Sequence, residues 1–156
     1  MSQVSGLKSQ VSGLKSNLTE AFMSTIERFE DLEAWKRART FAKLIHTVSG
    51  NGNFGRDFGL KDQIRRAANS IVSNIAEGFE RDGDKEFLQY LYVAKGSCGE
   101  VRAQLYLAVD FEYITAEEFS QLRTKALELN RIISGLIKYL RQSNLTGKKY
   151  SVSPRT

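Results

Sequence analysis

A chain of 156 residues, 41% hydrophobic and 26% charged, holds enough apolar material for one domain with its own core and does not have the composition of a disordered protein. Its single cysteine, Cys98, excludes an internal disulfide and suits a reducing, cytoplasmic setting; with a single histidine it leaves too little for a His/Cys metal site. The net charge of +5 accompanies no apolar run near the roughly 18–20 residues of a membrane helix and no continuous apolar core of a signal peptide.

Residues 1–28 read as an N-terminal extension. SQVSGLK at 2–8 recurs at 9–15, which places Val4, Leu7, Val11, Leu14 and Leu18 at 3-4-3-4 spacing, the seam of a short coiled coil. Gly6, Gly13 and the serines oppose helix, each Gly by about 1 kcal/mol, and two to three heptads are marginal alone. Two readings stay open: a disordered tail, or a helix formed only when several copies are held together.

The body, 29–143, contains no proline to interrupt long helices, since the lone Pro154 lies in the basic tail 144–156. Helix 1 is predicted from about Asp31 to Val48, with Leu32, Trp35, Ala38, Ala42 and Ile45 facing inward and Phe41, Leu44 and Val48 as a second stripe. The Gly/Asn-rich stretch from Gly50 to Gly55 follows a helix rather than a strand, so it reads as a loop and not as a phosphate cradle. Helix 2 is predicted from about Gly59 to Glu77, with Leu60, Ile64, Ala67, Ile71 and Ile75 inward, Asp57 as a cap and Gly78 as a stop.

Helix 3 carries Phe87, Leu91, Ala94, Cys98, Val101, Leu105 and Ala108 in unbroken 4-3 alternation, with Asp84 placed to cap it. Helix 4 opens on Thr115-x-x-Glu118, a capping box, and continues through Phe119, Leu122, Ala126, Leu129, Ile133, Leu136 and Leu140. Spacing of 3.5 residues on consecutive helices joined by short links predicts an all-α, antiparallel, up-and-down four-helix bundle. Helix 3 carries surplus apolar residues in Leu88, Tyr90, Tyr92, Val93 and Tyr106, together with the small run from Ala94 to Gly99. Leu88, Tyr92, Gly96, Gly99 and Tyr106 therefore mark either close contact inside the bundle or an interface between copies of the chain.

Charge is sorted along the chain. Lys36 to Arg66 holds eight basic and two acidic residues, Glu77 to Glu118 four basic and ten acidic, and 119–143 returns to a net +4. The candidates for nucleic-acid binding are Lys36, Arg37, Arg39, Lys43, Arg56, Lys61, Arg65 and Arg66, with Lys148 and Lys149 in the tail; antiparallel helices 1 and 2 would bring the two basic stretches into partial proximity. The same segment would equally serve to pair with the acidic helix of a neighbouring copy. Asn74 and Glu77, beside core residues, are expected to hold helix register by hydrogen bonds. His46 sits in the last turn of helix 1, where a cation suits the dipole, and Cys98 lies on the core stripe; neither reads as catalytic, and no cofactor motif is present. The absence of an RNA-recognition or zinc-finger signature implies low sequence specificity.

Phe29-Glu30-Asp31-Leu32-Glu33-Ala34-Trp35, Gln63-Ile64-Arg65-Arg66-Ala67-Ala68, Ser70-Ile71-Val72-Ser73-Asn74-Ile75-Ala76-Glu77-Gly78, Glu86-Phe87-Leu88 and Ala94-Lys95-Gly96-Ser97 together resemble the four-helix-bundle proteins encoded in intervening sequences of bacterial large-subunit ribosomal RNA. The resemblance spans about 29–143. It implies a ring-shaped homo-oligomer, usually a homopentamer, with no catalysis and no cofactor. A more distant branch, the accessory proteins of diversity-generating retroelements, implies RNA and a reverse transcriptase as partners. The sequence departs from the family pattern at Gly55, where a proline is expected, and in its repeat-bearing N-terminus. The expected function is that of a non-enzymatic, homo-oligomeric RNA-associated protein; the alternative is a protein scaffold or accessory subunit.

Overall fold

Among the described residues, the 3.5-residue apolar spacing is realised as four long helices and one short one. A computed structural model of the chain describes residue 10 and residues 25–145, with side chains to residue 143. After a single 3-10 turn, Phe29–Asp31, the order is α1 (Glu33–Ser49), α2 (Gly52–Arg56), α3 (Phe58–Glu80), α4 (Asp84–Asp110) and α5 (Ala116–Leu145), with no strand among the described residues.

Each long helix packs on the next in sequence, and α5 closes back onto α1. The cross-contacts run in opposite directions along each pair. Arg65 reaches Ser49 while Asn69 meets His46; Ser70 meets Ser97 while Phe79 meets Phe87; Cys98 meets Ala126 while Tyr106 meets Phe119. The long helices are therefore antiparallel neighbours, and α1 and α4 lie across the diagonal. The predicted stripes fill the centre: Ile45, Ile64, Ile71, Ile75, Leu91, Leu105 and Ile133 are fully buried, and each such side chain contributes about 1.5–3 kcal/mol through burial.

Local signals set most of the helix ends. Asp57 accepts from the Leu60 amide at 3.1 Å, capping α3. Thr115 and Glu118 form the reciprocal capping box, with N–H···O distances of 3.0 and 3.1 Å. Three expectations are corrected. The stretch after helix 1 is not all loop, because Gly52 at φ +51° starts the five-residue α2, which buries Phe54 and brings Gly55 against the Gly50 carbonyl. Gly78 does not stop α3, which continues to Glu80; a Cβ at Gly78 would lie 2.5 Å from Tyr90 Cβ, so this glycine lets α3 and α4 approach. Asp84 is the first residue of α4 rather than its cap; Gly83, at φ +115°, precedes it, and partial burial raises the Asp84 carboxyl above its usual range.

Trp35 also differs from the predicted core position. It is half-buried at the core's edge, with Phe29 packed edge-on at 5.1 Å and the Arg39 guanidinium 5.6 Å above the ring. The N-terminal repeat, apart from residue 10, and the tail bearing Lys148 and Lys149 lie outside the described residues.

Candidate nucleic-acid interface

The antiparallel course of α1 and α3 decides which predicted cations come together. Because His46 lies beside Asn69, the start of α1 packs beside the end of α3, where Glu77 and Glu80 are exposed. Arg56, Lys61, Arg65 and Arg66 sit at the opposite pole. Lys36 and His46 are ten residues apart, about 15 Å of helix, so the eight body cations form two groups with Lys43 between them.

The group at the pole near α2 is largely engaged. Arg65 donates through Nε to Ser49 Oγ and through Nη2 to the His46 carbonyl, both at 2.9 Å. That carbonyl, which also accepts from Ser49 Oγ at 3.4 Å, lies at the end of α1, where a positive charge is favoured. Arg66 pairs with Asp62 at 2.9 Å, Arg56 donates to Asn53, and Lys61 lies over the Phe58 ring. The structure gives Arg65 a packing role that its sequence pattern does not reveal.

The outer face of α1 is different. Lys36, Arg39 and Lys43 follow each other at i, i+3 and i+7, all are exposed, and none makes an ion pair among the described residues. Arg37, on the flank toward α5, bonds Glu33 at 2.8 Å and lies 3.9 Å from Glu128, contacts that hold its guanidinium in the charged form. That pairing sets the level of α5 beside α1. Just beyond it, α5 exposes Arg131 and Lys138, one heptad apart and also without an ion pair among the described residues. The candidate set read from the sequence omits these two, although the net +4 of residues 119–143 pointed to them.

Across the diagonal, α4 turns apolar groups outward. Tyr92, Val93, Tyr106 and Leu107 are 42–52% exposed, with Gly96, Gly99 and Ala103 between them. Among the described residues, a Cβ at Gly96 would meet nothing within 4 Å and one at Gly99 only Arg102 at 3.7 Å, so these glycines serve no close contact between the bundle's described helices. Leu88 is half-buried against the core and does not belong to this strip. Tyr106 partly engages α5, packing 4.8 Å from Phe119 and accepting from Arg123 Nε at 3.2 Å.

Asn74 and Glu77 take part in the α3–α4 register. Asn74 donates to the Ser70 carbonyl and hydroxyl, and the Ser70 hydroxyl meets that of Ser97 at 2.8 Å. Glu77 accepts from Arg81 and from Tyr90 of α4. Cys98 is buried and donates to the Ala126 carbonyl; burial pushes its thiol up to about 11 against a smaller opposing pull from Arg102. His46 Nε2 donates to Asn69 at 3.1 Å. Among the described residues no three His, Cys, Asp or Glu side chains are placed to hold a metal ion, and no helix is long and apolar enough to cross a membrane.

Residues 30–135 match the model of a family described as 23S rRNA-intervening sequence protein. A crystal structure from Bacteroides thetaiotaomicron, described as a protein with unknown function from the S23 ribosomal protein family, is similar at 26% identity and a TM-score of 0.62, covering 67% of this chain and 98% of that one. None of the curated proteins matches the chain significantly.

Proposed function

The chain belongs to the 23S rRNA-intervening sequence protein family, and from that premise we propose that it is a non-enzymatic RNA-associated protein acting as an assembly of identical copies. The observation that carries this reading is the division between diagonal helices. Lys36, Arg39 and Lys43 stand on the outside of α1 without an ion pair among the described residues, extended by Arg131 and Lys138 on α5, while α4 presents an exposed apolar strip.

An apolar strip of this kind favours association, and covering it leaves the opposite, cationic side facing solvent. Repeated around an assembly, that side multiplies its phosphate contacts, each adding a counterion-release contribution to affinity. Backbone contacts of this kind position RNA without reading its sequence, in keeping with a surface of Lys and Arg on the outside of a helix. The unpaired state of these cations favours this reading over one in which the basic segment pairs with an acidic helix of a neighbour.

The test is fluorescence-anisotropy titration of a structured RNA at rising salt. Binding should weaken steeply between 50 and 200 mM salt, on the order of thirtyfold if about three phosphates per bundle are neutralised. Binding that is absent, or indifferent to salt, overturns the proposal.

A further inference from the structure

The exposed strip of α4 repeats with a seam of its own. Tyr92, Gly96, Gly99, Ala103 and Tyr106 follow each other at 4-3-4-3, each at least partly exposed. The N-terminal repeat places Val4, Leu7, Val11, Leu14 and Leu18 at 3-4-3-4. Run antiparallel, the two patterns superpose without a gap: Leu18 falls opposite Tyr92, Leu14 opposite Gly96, Val11 opposite Gly99, Leu7 opposite Ala103 and Val4 opposite Tyr106. The seams are equally long, about 21 Å of helix each, and complementary in size. The large Leu14, Val11 and Leu7 meet the small residues of α4, leaving the knobs of one seam to fill the holes of the other.

The flanking positions agree in charge. In an antiparallel pair each flank faces its counterpart. That sets Lys8 and Lys15 beside Val93, Glu100 and Leu107, with Glu100 the acidic group between the two lysines. It sets Gln3, Gln10 and Asn17 beside Lys95 and Arg102, so no like charges oppose each other. Amide side chains on the facing flank supply acceptors to the Lys95 ammonium and the outer nitrogens of the Arg102 guanidinium. Gln10 itself is helical and exposed.

We propose that residues 2–18 form an antiparallel helical arm that seats on the outer face of α4 of a neighbouring copy. The proposal rests on the reading that copies assemble through that face, and it names what each copy delivers there. Chain reach favours a neighbour, because a path to the chain's own α4 needs the linker fully extended. Ile26 and Phe29 pack at the edge of the core, and the turn at 29–31 contacts α1 and α3, at the pole where α3 ends and α4 begins. The arm's axis over its own α4 would lie about 26 Å away, taking neighbouring helices 8–10 Å apart and Tyr92 about 12 Å from that pole. Eight residues reach only about 26–29 Å when fully extended, and that path would have to round the end of the bundle.

The experiment mixes two full-length single variants, Leu14→Cys and Gly96→Cys, under mild oxidation, with Leu14→Cys and Gly135→Cys as the control pair; Gly135 is exposed and equally open. The first mixture should give a disulfide-linked heterodimer several-fold above the control, since facing seam positions lie within disulfide range. Deleting residues 1–24 should lower the mass measured by light scattering at equal concentration. An oligomer that persists with no crosslink above the control overturns the arm and leaves assembly standing. A Leu14→Cys/Gly96→Cys double variant that closes only within its own chain overturns assignment to a neighbour. A full-length chain that is monomeric at every concentration overturns the assembly reading itself.

Discussion

Two diagonal helices of one bundle, α1 and α4, bury similar apolar stripes yet present opposite chemistries to the outside. The outer face of α1 carries Lys36, Arg39, Thr40, Lys43 and Thr47, water-compatible groups that need no partner to be stable there. The outer face of α4 carries Tyr92, Val93, Tyr106 and Leu107 around open glycines. The first arrangement is what any solvated helix can carry; the second exposes apolar area and accepts glycine in a helix interior without any return from packing among the described residues. The contrast teaches that one bundle carries a charged outer side on α1 and an exposed apolar side on α4.

The sharpest way to break that contrast is to reverse each face separately. Lys36→Glu/Arg39→Glu/Lys43→Glu should weaken binding of structured RNA by tenfold or more and flatten its salt dependence by about two to three in logarithmic slope, while the mass by light scattering stays unchanged. Tyr92→Ser/Tyr106→Ser should do the converse, lowering the mass first. If both variants move both readouts equally, the two faces are not separate in function.

The two glycines of the α3–α4 hairpin sharpen it further, because they should respond with opposite sign. Gly78→Ala forces a methyl group onto Tyr90 Cβ and should destabilise by about 1–3 kcal/mol in urea unfolding. In a chain lacking residues 1–24, Gly96→Ala meets open space and should stabilise by up to about 1 kcal/mol through helix propensity.

A pH-dependent effect concerns the inner side of α4. The Cys98 thiol, held near 11 against an ordinary 9.0, is neutral in the folded chain at a pH where the unfolded thiol ionises. Its raised value means stability that is full below pH 9 and lost as pH rises toward 11. The stability difference between the parent chain and Cys98→Ala should shrink by roughly 1–2 kcal/mol between pH 8 and pH 10.5. A constant difference would mean that the thiol is not held neutral by burial.

Much of the fold was legible because it rests on local and periodic signals. The stripes through Ile64, Ile71 and Ile75, or Leu91, Val101 and Leu105, fix which side of each helix is inward, and the Thr115–Glu118 box is written in four residues. What failed needed a partner in space. Gly78 looks like a helix stop until Tyr90 is seen against it, and α2 depends on Phe54 finding a buried seat. The candidate interface was legible only as composition. A run of basic residues does not reveal that Arg65 is committed to the end of α1, or that Arg131 and Lys138 are exposed on α5 just beyond the Arg37–Glu128 contact.

The Asp57 carboxylate caps α3 through one oxygen and, through the other, accepts the Tyr113 hydroxyl at 2.9 Å. Tyr113 stands in the turn between α4 and α5, 56 positions away in the chain, and the bond to Asp57, with a smaller effect of burial, raises its phenol above the ordinary value. The bundle is thus built like a hinged book. Residues 81–83 are the spine joining the α1–α3 leaf to the α4–α5 leaf, and the single carboxylate at the far pole is the clasp. One oxygen of that clasp serves its own leaf by capping α3 and the other reaches across to the second leaf, so a single side chain couples a local helix end to the closure of the book.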